Sequence, residues 1–256
     1  MNWLKSKIVA LLPPVVVLHL RALDHYINGE QELRLLKGLV DPNRLAIDAG
    51  ANIGTYSYFL RKYAVEVYAY EPNPELAARL RALMPILKVR QFALSDTQGE
   101  SIFSIPIDNL GRPQHALGSV AQTFSGQVHR YPVECITIDS ERLDHVGFIK
   151  IDVEQHEREV LRGALNTIEK SRPVILVEVY PLKYQRAISE EFFFVLQNNY
   201  CAWFLFAGRW HPLDTFRREL HSEPANFGKK NKFMGNNLVF FPNEHPRAKL
   251  GPASRL

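Results

Sequence analysis

Residues Ala46–Tyr56 read AIDAGANIGTY, followed by SYFLRKY. An apolar run ends on an acid, Asp48. Two glycines, Gly50 and Gly54, then bracket Asn52, and a helical pattern takes over. This is the strand, turn and helix of a βαβ unit, and in an open α/β sheet the first such turn touches the ligand. A dinucleotide fingerprint would read Gly-x-Gly-x-x-Gly and offer helix-start amides to a pyrophosphate. Here Asn52 stands where a third glycine is expected, and asparagine is among the few residues with a side chain that tolerate a left-handed backbone. Asp48 at the strand end repels phosphate and favours a cationic group.

Working outward, the next strand, VEVYAYE, ends on Glu71, about 20 residues on, where an acid can accept two hydrogen bonds from a ribose diol. The pair describes a ligand with a ribose and a positive charge but no required phosphate. S-adenosylmethionine, with its sulfonium, ammonium and adenosine, meets that description.

The alternation continues along the chain. Asn73 and Pro74 open a helix to Met84 as cap and first residue, and VRQFALSD is a third strand. After Gly99 two extended pieces, ESIFSIP and YPVECITID, flank a long polar stretch, DNLGRPQHALGSVAQTFSGQVHR, of the length that often serves function. Strand FIKIDV, helix HEREVLRGALNTIEK, strand PVILVEV and helix SEEFFFVLQNN follow. The last apolar runs, YCAWFLFA and NNLVFFP, are joined by a polar segment, 208–235, that reads as irregular, so they should pair antiparallel at the edge of a mostly parallel sheet.

IDAGANIGTYSYFL, VYAYEPNPE, FALSD, FIKIDVEQHEREVLRGA and PVILVEVYP together resemble, in order and spacing, the FkbM-like family of S-adenosylmethionine-dependent methyltransferases, over residues 30 to 242 or so. KIDVE is the most family-specific piece. The resemblance implies a class I methyltransferase (Rossmann-like) α/β fold, a three-layer sandwich around a seven-stranded sheet whose last strand is antiparallel. It also implies O-methylation of a sugar, glycan or secondary-metabolite hydroxyl. One departure is Gln155, where the family usually has glycine after Asp-Val-Glu.

By carry-over, Asp48, Gly50, Asn52 and Gly54 line the methionine end of the cofactor and Glu71 its ribose. Ala93 and Leu94 border the adenine, and Ser95 or Asp96 either reaches its amino group or serves only the turn. Asp152, Glu154 and His156, after the fourth strand, are the candidate catalytic residues, because an alcohol nucleophile gains roughly 10²–10⁴-fold from a nearby base. Glu178 forms a further wall, and His115, Ser119 and His129 belong to a lid over the acceptor. Asp152, Glu154, Glu178 and His156 could alternatively hold magnesium or calcium; the preferred reading has no metal.

Composition limits the remaining classes. With 256 residues and 46% hydrophobic content, the chain can bury one sizeable core. The formal charge of +4, from 31 basic and 27 acidic residues, falls short of a nucleic-acid-binding signature. Basic residues gather late, at Arg217, Arg218, Lys229, Lys230 and Lys232, and in a tail with Arg247, Lys249 and Arg255. Two cysteines, Cys135 and Cys201, each inside an apolar run, offer no disulfide framework, which fits a cytoplasmic protein. The N-terminus, MNWLKSKIVALLPPVVVLHLR, is too short to span a membrane, which takes about 20 apolar residues. Trp3, Lys5 and Lys7 beside it fit a membrane interface and equally docking of the run onto the domain or a partner. The expected organisation is an N-terminal apolar appendage over 1–30, a methyltransferase domain over 31–243 and a loose basic tail over 244–256. The competing functions are a non-catalytic S-adenosylmethionine binder and an NAD-dependent oxidoreductase or epimerase.

Overall fold

A computed structural model describes residues 12–29, 31–180, 183–184, 186–206, 209–221 and 237–249. Trp3, Lys5, Lys7, Lys229, Lys230, Lys232 and Arg255 lie outside them.

The quoted stretch opens with β1 (Leu45–Ala49), which pairs in parallel with β2 (Glu66–Tyr70) on one side and β7 (Val146–Ile151) on the other. β3 (Lys88–Arg90) extends the sheet beyond β2, and β8 (Val174–Glu178) extends it beyond β7, both in parallel. β11 (Asn237–Pro242) then reverses direction between β8 and β9 (Tyr200–Phe206), and β10 (Arg209–Pro212) closes the edge antiparallel to β9. The order is therefore β10-β9-β11-β8-β7-β1-β2-β3. Seven strands were expected and eight form. The additional strand is β10, inside the segment read as irregular, where Trp210 buries itself and anchors a four-residue run too short and polar to register as a strand. The last strand is antiparallel as expected but sits inside the sheet; β10 is the antiparallel edge.

Both sheet faces are covered, which is why the strands read as near-continuous apolar runs. On one face, α5 (Glu157–Arg162), α6 (Leu165–Ser171), α7 (Ile188–Glu191) and α8 (Phe193–Leu196) pack Val160, Leu161, Ile168, Ile188 and Val195 onto Ile47, Ile149, Ile175 and Phe240. On the other, α1 (Pro14–Asn28), α2 (Glu32–Leu39), α3 (Thr55–Leu60) and α4 (Pro74–Leu83) pack Leu18, Leu36, Leu60 and Leu80 onto Ala46, Phe148, Leu176 and Phe241. Alternate residues of one strand thus feed opposite cores. α4 starts as read: Asn73 Oδ1 accepts from the amides of Glu75 (3.0 Å) and Leu76 (3.3 Å), with Pro74 first in the helix.

The helix expected over HEREVLRGALNTIEK breaks into α5 and α6. Gly163 stands at the break because a Cβ there would meet the carbonyl oxygen of Ser95 at 2.0 Å. Asp139 then caps α6 from a distance, accepting from the amides of Asn166 (3.0 Å) and Thr167 (2.8 Å). The third strand also splits: β3 stays in the main sheet, while β4 (Ala93–Leu94) joins a small sheet of order β4-β6-β5 with β5 (Gly99–Pro106) and β6 (Val128–Ile136). β5 and β6 form a hairpin, and the polar stretch between them folds back as a flap with a short 3₁₀ turn at His115–Leu117.

The first residues of the expected tail are not loose. Glu244 pairs with the Arg172 guanidinium at 2.8 Å, and Pro246–Lys249 forms a 3₁₀ turn. Among the described residues no helix is long and apolar enough to cross a membrane.

Candidate active site

A cavity opens at the carboxyl ends of β1, β2 and β7, the position a ligand takes in an open α/β sheet. Gly50 and Asn52 follow β1, Tyr70 and Glu71 end β2, and Asp152, Val153, Glu154 and His156 follow β7. Phe92, Ala93 and Leu94 form one wall, and Phe103 with His115, Ala116, Gly118 and Val120 of the flap forms the roof.

The turn after β1 has the backbone its residues imply. Gly50 lies at φ 77° and Asn52 at φ 51°. A Cβ on Gly50 would come within 1.8 Å of the Asp152 carbonyl oxygen, so the two loops meet at a spacing only glycine permits. Gly54 lines no part of the cavity; its missing side chain makes room for Met84 and Leu80 at the start of α3.

Glu71 is 4% exposed, and each of its oxygens takes one backbone amide: Oε2 from Asn52 at 2.6 Å and Oε1 from Asn73 at 2.9 Å. One further acceptor direction remains on each oxygen. Burial pushes its carboxyl up to about 7 in spite of those two bonds.

Asp48 is not in the cavity but beneath it. It is 2% exposed, accepts from Ser57 Oγ at 2.5 Å, and is pushed by burial up to about 6. Across the β1–β7 ladder its register partner is Lys150, which the sequence reading passed over. Lys150 has no exposed surface. Its ammonium lies 3.7 Å from Asp152 Oδ2, 3.9 Å from Glu178 Oε2 and 4.7 Å from the Tyr56 ring centroid. The period of two along β7 puts Lys150 and Asp152 on one face, so a single buried cation holds the carboxylates at the strand ends. Glu178 is consequently part of this charge cluster rather than a wall of the cavity. The set considered as a divalent-ion site is dispersed in the same way: among the described residues no three His, Cys, Asp or Glu side chains come together to hold a metal.

Glu154 and Gln155 both have left-handed backbones, at φ 52° and 73°. The glycine usual at position 155 is thus a conformational requirement, which Gln155 meets with help: its amide donates to Glu157 Oε1 at 2.7 Å, and its carbonyl accepts from Lys183 Nζ. Glu157, in the first turn of α5, is 2% exposed and pushed by burial up to about 7. Glu154 lines the cavity, and burial, with Asp152 and Glu157 nearby, pushes it up to about 7.

His156 lines the cavity, its Nε2 bonded with Ser95 Oγ at 2.9 Å and its Nδ1 3.7 Å from Glu159 Oε2, beyond hydrogen-bond length. Burial lowers its pKa. Asp96 turns to solvent, where Oδ1 accepts from Ser95 Oγ at 3.3 Å, and is not in the cavity wall. Ser119 is 1% exposed and latches the flap: its hydroxyl donates to the Glu154 carbonyl at 2.6 Å and accepts from the amides of Ala121 (3.0 Å) and Gln122 (3.2 Å). Gln122 Nε2 adds a bond to Glu154 Oε2 at 3.3 Å. His115 is in the roof, its Nδ1 2.9 Å from Asn73 Nδ2. His129 stacks edge-on with Tyr131 and is absent from the cavity wall.

Of the expected residues, the cavity therefore gathers Gly50, Asn52, Glu71, Ala93, Leu94, Asp152, Glu154, His156 and His115. Asp48, Gly54, Asp96, Ser119 and Glu178 act behind it or away from it. Phe92, Phe103 and Val153 were missed, although Phe103 had a signal in the period-two pattern of ESIFSIP.

The methyltransferase FkbM domain matches residues 48–204. The hexuronic acid methyltransferase AglP of Haloferax volcanii is 31% identical over 163 residues, which are 60% of this chain and 64% of that protein, so the chain spans somewhat under two thirds of that relative. The crystal structure of methyltransferase FkbM from Methylobacillus flagellatus KT superposes with a TM-score of 0.50 at 15% identity, covering 92% of this chain and 57% of that one, a likeness of fold. With the family match spanning more than half of its length, the chain belongs to the FkbM methyltransferase domain family.

Proposed function

We propose that this protein transfers the methyl group of S-adenosylmethionine to a hydroxyl oxygen of a sugar or glycan. The observation that carries the reading is the charge of the cavity. Three carboxylates, Glu71, Asp152 and Glu154, line it, and no lysine or arginine does among the described residues. A sulfonium and an ammonium suit such walls, whereas the pyrophosphate of NAD needs helix-start amides and positive charge. The sugar acceptor rests on the relative that is a hexuronic acid methyltransferase.

The residues divide the work as follows. Glu71 uses its two remaining acceptor directions for the ribose hydroxyls, and Ala93, Leu94 and Phe103 give the adenine an apolar slot. Gly50 and Asn52 let the backbone approach the methionine part. The bound cofactor supplies a methyl carbon already activated by its sulfonium, so the chain's task is alignment and exclusion of water. The flap roof and its Ser119 latch exclude water. Lys150 fixes Asp152 against the cavity floor. Glu154, pushed up to about 7, is matched to take the acceptor's hydroxyl proton at neutral pH. His156, its Nε2 tied to Ser95 Oγ, is a wall residue in this scheme.

The test is methyl transfer to a panel of hexoses and uronic acids at saturating S-adenosylmethionine. Glu154→Gln should lower kcat by roughly 10²–10⁴-fold with cofactor affinity retained. The rise of kcat with pH through about 7 should vanish with it, since the base works only when deprotonated. Unchanged kcat and pH profile in a folded variant would place the base elsewhere. Cofactor binding with no transfer to any sugar would leave only a binding protein.

A further inference from the structure

Helix α1 carries a feature that the methyl-transfer site does not use. It turns Val17, Leu18 and Ala22 into the core. Its opposite face presents Val16, Leu20, Leu23 and Ile27, spaced i, i+4, i+7 and i+11, one line along a helix of 3.6 residues per turn. These side chains are 40%, 49%, 53% and 55% exposed, with Val15 beside them at 45%. Single exposed aliphatics need no explanation, but a contiguous row marks a surface that is covered in use.

We propose that this face of α1 docks on an anionic lipid surface. Three observations favour that occupant. The first is the charge at the rim. Arg61 and Lys62 each lie over the Tyr58 ring at 4.6 Å, and Tyr58 meets the ring of His19, next to the row, at 5.2 Å. Arg34 donates to the carbonyls of Tyr26 (2.9 Å) and Ile27 (2.6 Å) at the row's far end, and Arg21 is exposed on α1 itself. Asp24, accepting from Asn28 at 2.8 Å, is the helix's own acid. Aliphatics flanked by cations are what a helix lying in the headgroup region needs.

The second is width. The row is one residue wide, deep enough for shallow insertion, whereas a stable protein interface takes about 20–30 residues a side. The third is length. With 15 residues and one face committed to the core, α1 can lie on a bilayer but cannot cross it. The sequence ahead of the helix repeats the chemistry, with Trp3, Lys5, Lys7 and the apolar Ile8–Leu12. The inference is independent of the methyl-transfer reading.

The test is sedimentation of the full chain with vesicles of phosphatidylcholine and of equimolar phosphatidylcholine and phosphatidylserine. The expected result is partition onto the mixed vesicles, weaker on phosphatidylcholine alone and reduced by added salt. The double variant Leu20→Glu/Leu23→Glu should partition at least about tenfold less with little change in melting temperature, because both side chains are about half exposed and outside the buried core. Lys62→Glu should weaken binding to the anionic vesicles alone. Absence of partition by the wild type, or equal partition by the double variant, would overturn the proposal. A dimer in sedimentation velocity that the double variant abolishes would also overturn it, by assigning the face to a second copy of the chain.

Discussion

Lys150 shows what one residue does for this site. A lysine without exposed surface survives only when its charge is met, and here Asp152 at 3.7 Å and Glu178 at 3.9 Å meet it, with Asp48 level with it on β1. Removing one partner of such a set leaves uncompensated buried charge. Lys150→Met should therefore lower unfolding stability by about 3 kcal/mol or more, measured by urea denaturation at pH 7.5; a variant as stable as the wild type would contradict the cluster. In the string FIKIDV this lysine passes for the outward residue of a half-buried strand, and only coverage of the sheet on both faces makes every position an inward one. Asn52 was readable because few residues adopt its left-handed backbone. Glu71 was readable because its place at a strand end sets its geometry. Asp48 was read as facing the ligand; its place beneath the cavity depends on Ser57 and Lys150, whose approach no local pattern encodes.

At the scale of elements, the flap between β5 and β6 decides access. Its length announced a lid, and its residues do roof the cavity. Its fastening is specific: the Ser119 hydroxyl, with Gln122 Nε2 beside it, bridges the flap to the loop after β7. Ser119→Ala removes that bond and leaves the Glu154 carbonyl with only the longer one from Gln122 Nε2 at 3.4 Å, at about 1 kcal/mol. The cofactor's dissociation rate should rise by roughly tenfold, as read by stopped-flow displacement. An unchanged rate would mean that the flap does not gate the cavity. Local patterns failed where an element's limits are set by another element. The break at Gly163 exists because Ser95 comes close to it, and β10 exists because Trp210 finds a place beneath the sheet.

For the molecule as a whole, the layer order was legible from the alternation of apolar runs and helical patterns, while the insertion of β11 between β8 and β9 was not, because strand order is settled by long-range packing. Charge at this scale gives a stability prediction. Glu71, Glu154 and Glu157 are all pushed by burial to about 7, above the 4.5 of a free glutamate. A folded carboxyl with a raised pKa contributes stability that is present at low pH and lost as pH rises through the folded value. His156, His221 and His245, lowered by burial, act oppositely, but chiefly below about 7, where unfolded imidazoles still hold protons. The ligand-free protein should therefore melt several degrees lower at pH 8 than at pH 6.5; a flat or rising melting temperature over that interval would contradict the buried carboxylates. A cationic ligand seated among them should recover part of the loss at pH 8.

The most direct measurement is calorimetric titration of wild type and Glu71→Ala with S-adenosylmethionine, S-adenosylhomocysteine and NAD, each protein checked for folding by its melting curve. The first two should bind the wild type and lose roughly 100-fold in affinity when the two ribose hydrogen bonds are removed, and NAD should bind neither protein. Binding of NAD, or binding of S-adenosylmethionine that Glu71→Ala leaves unchanged, would contradict the cofactor reading.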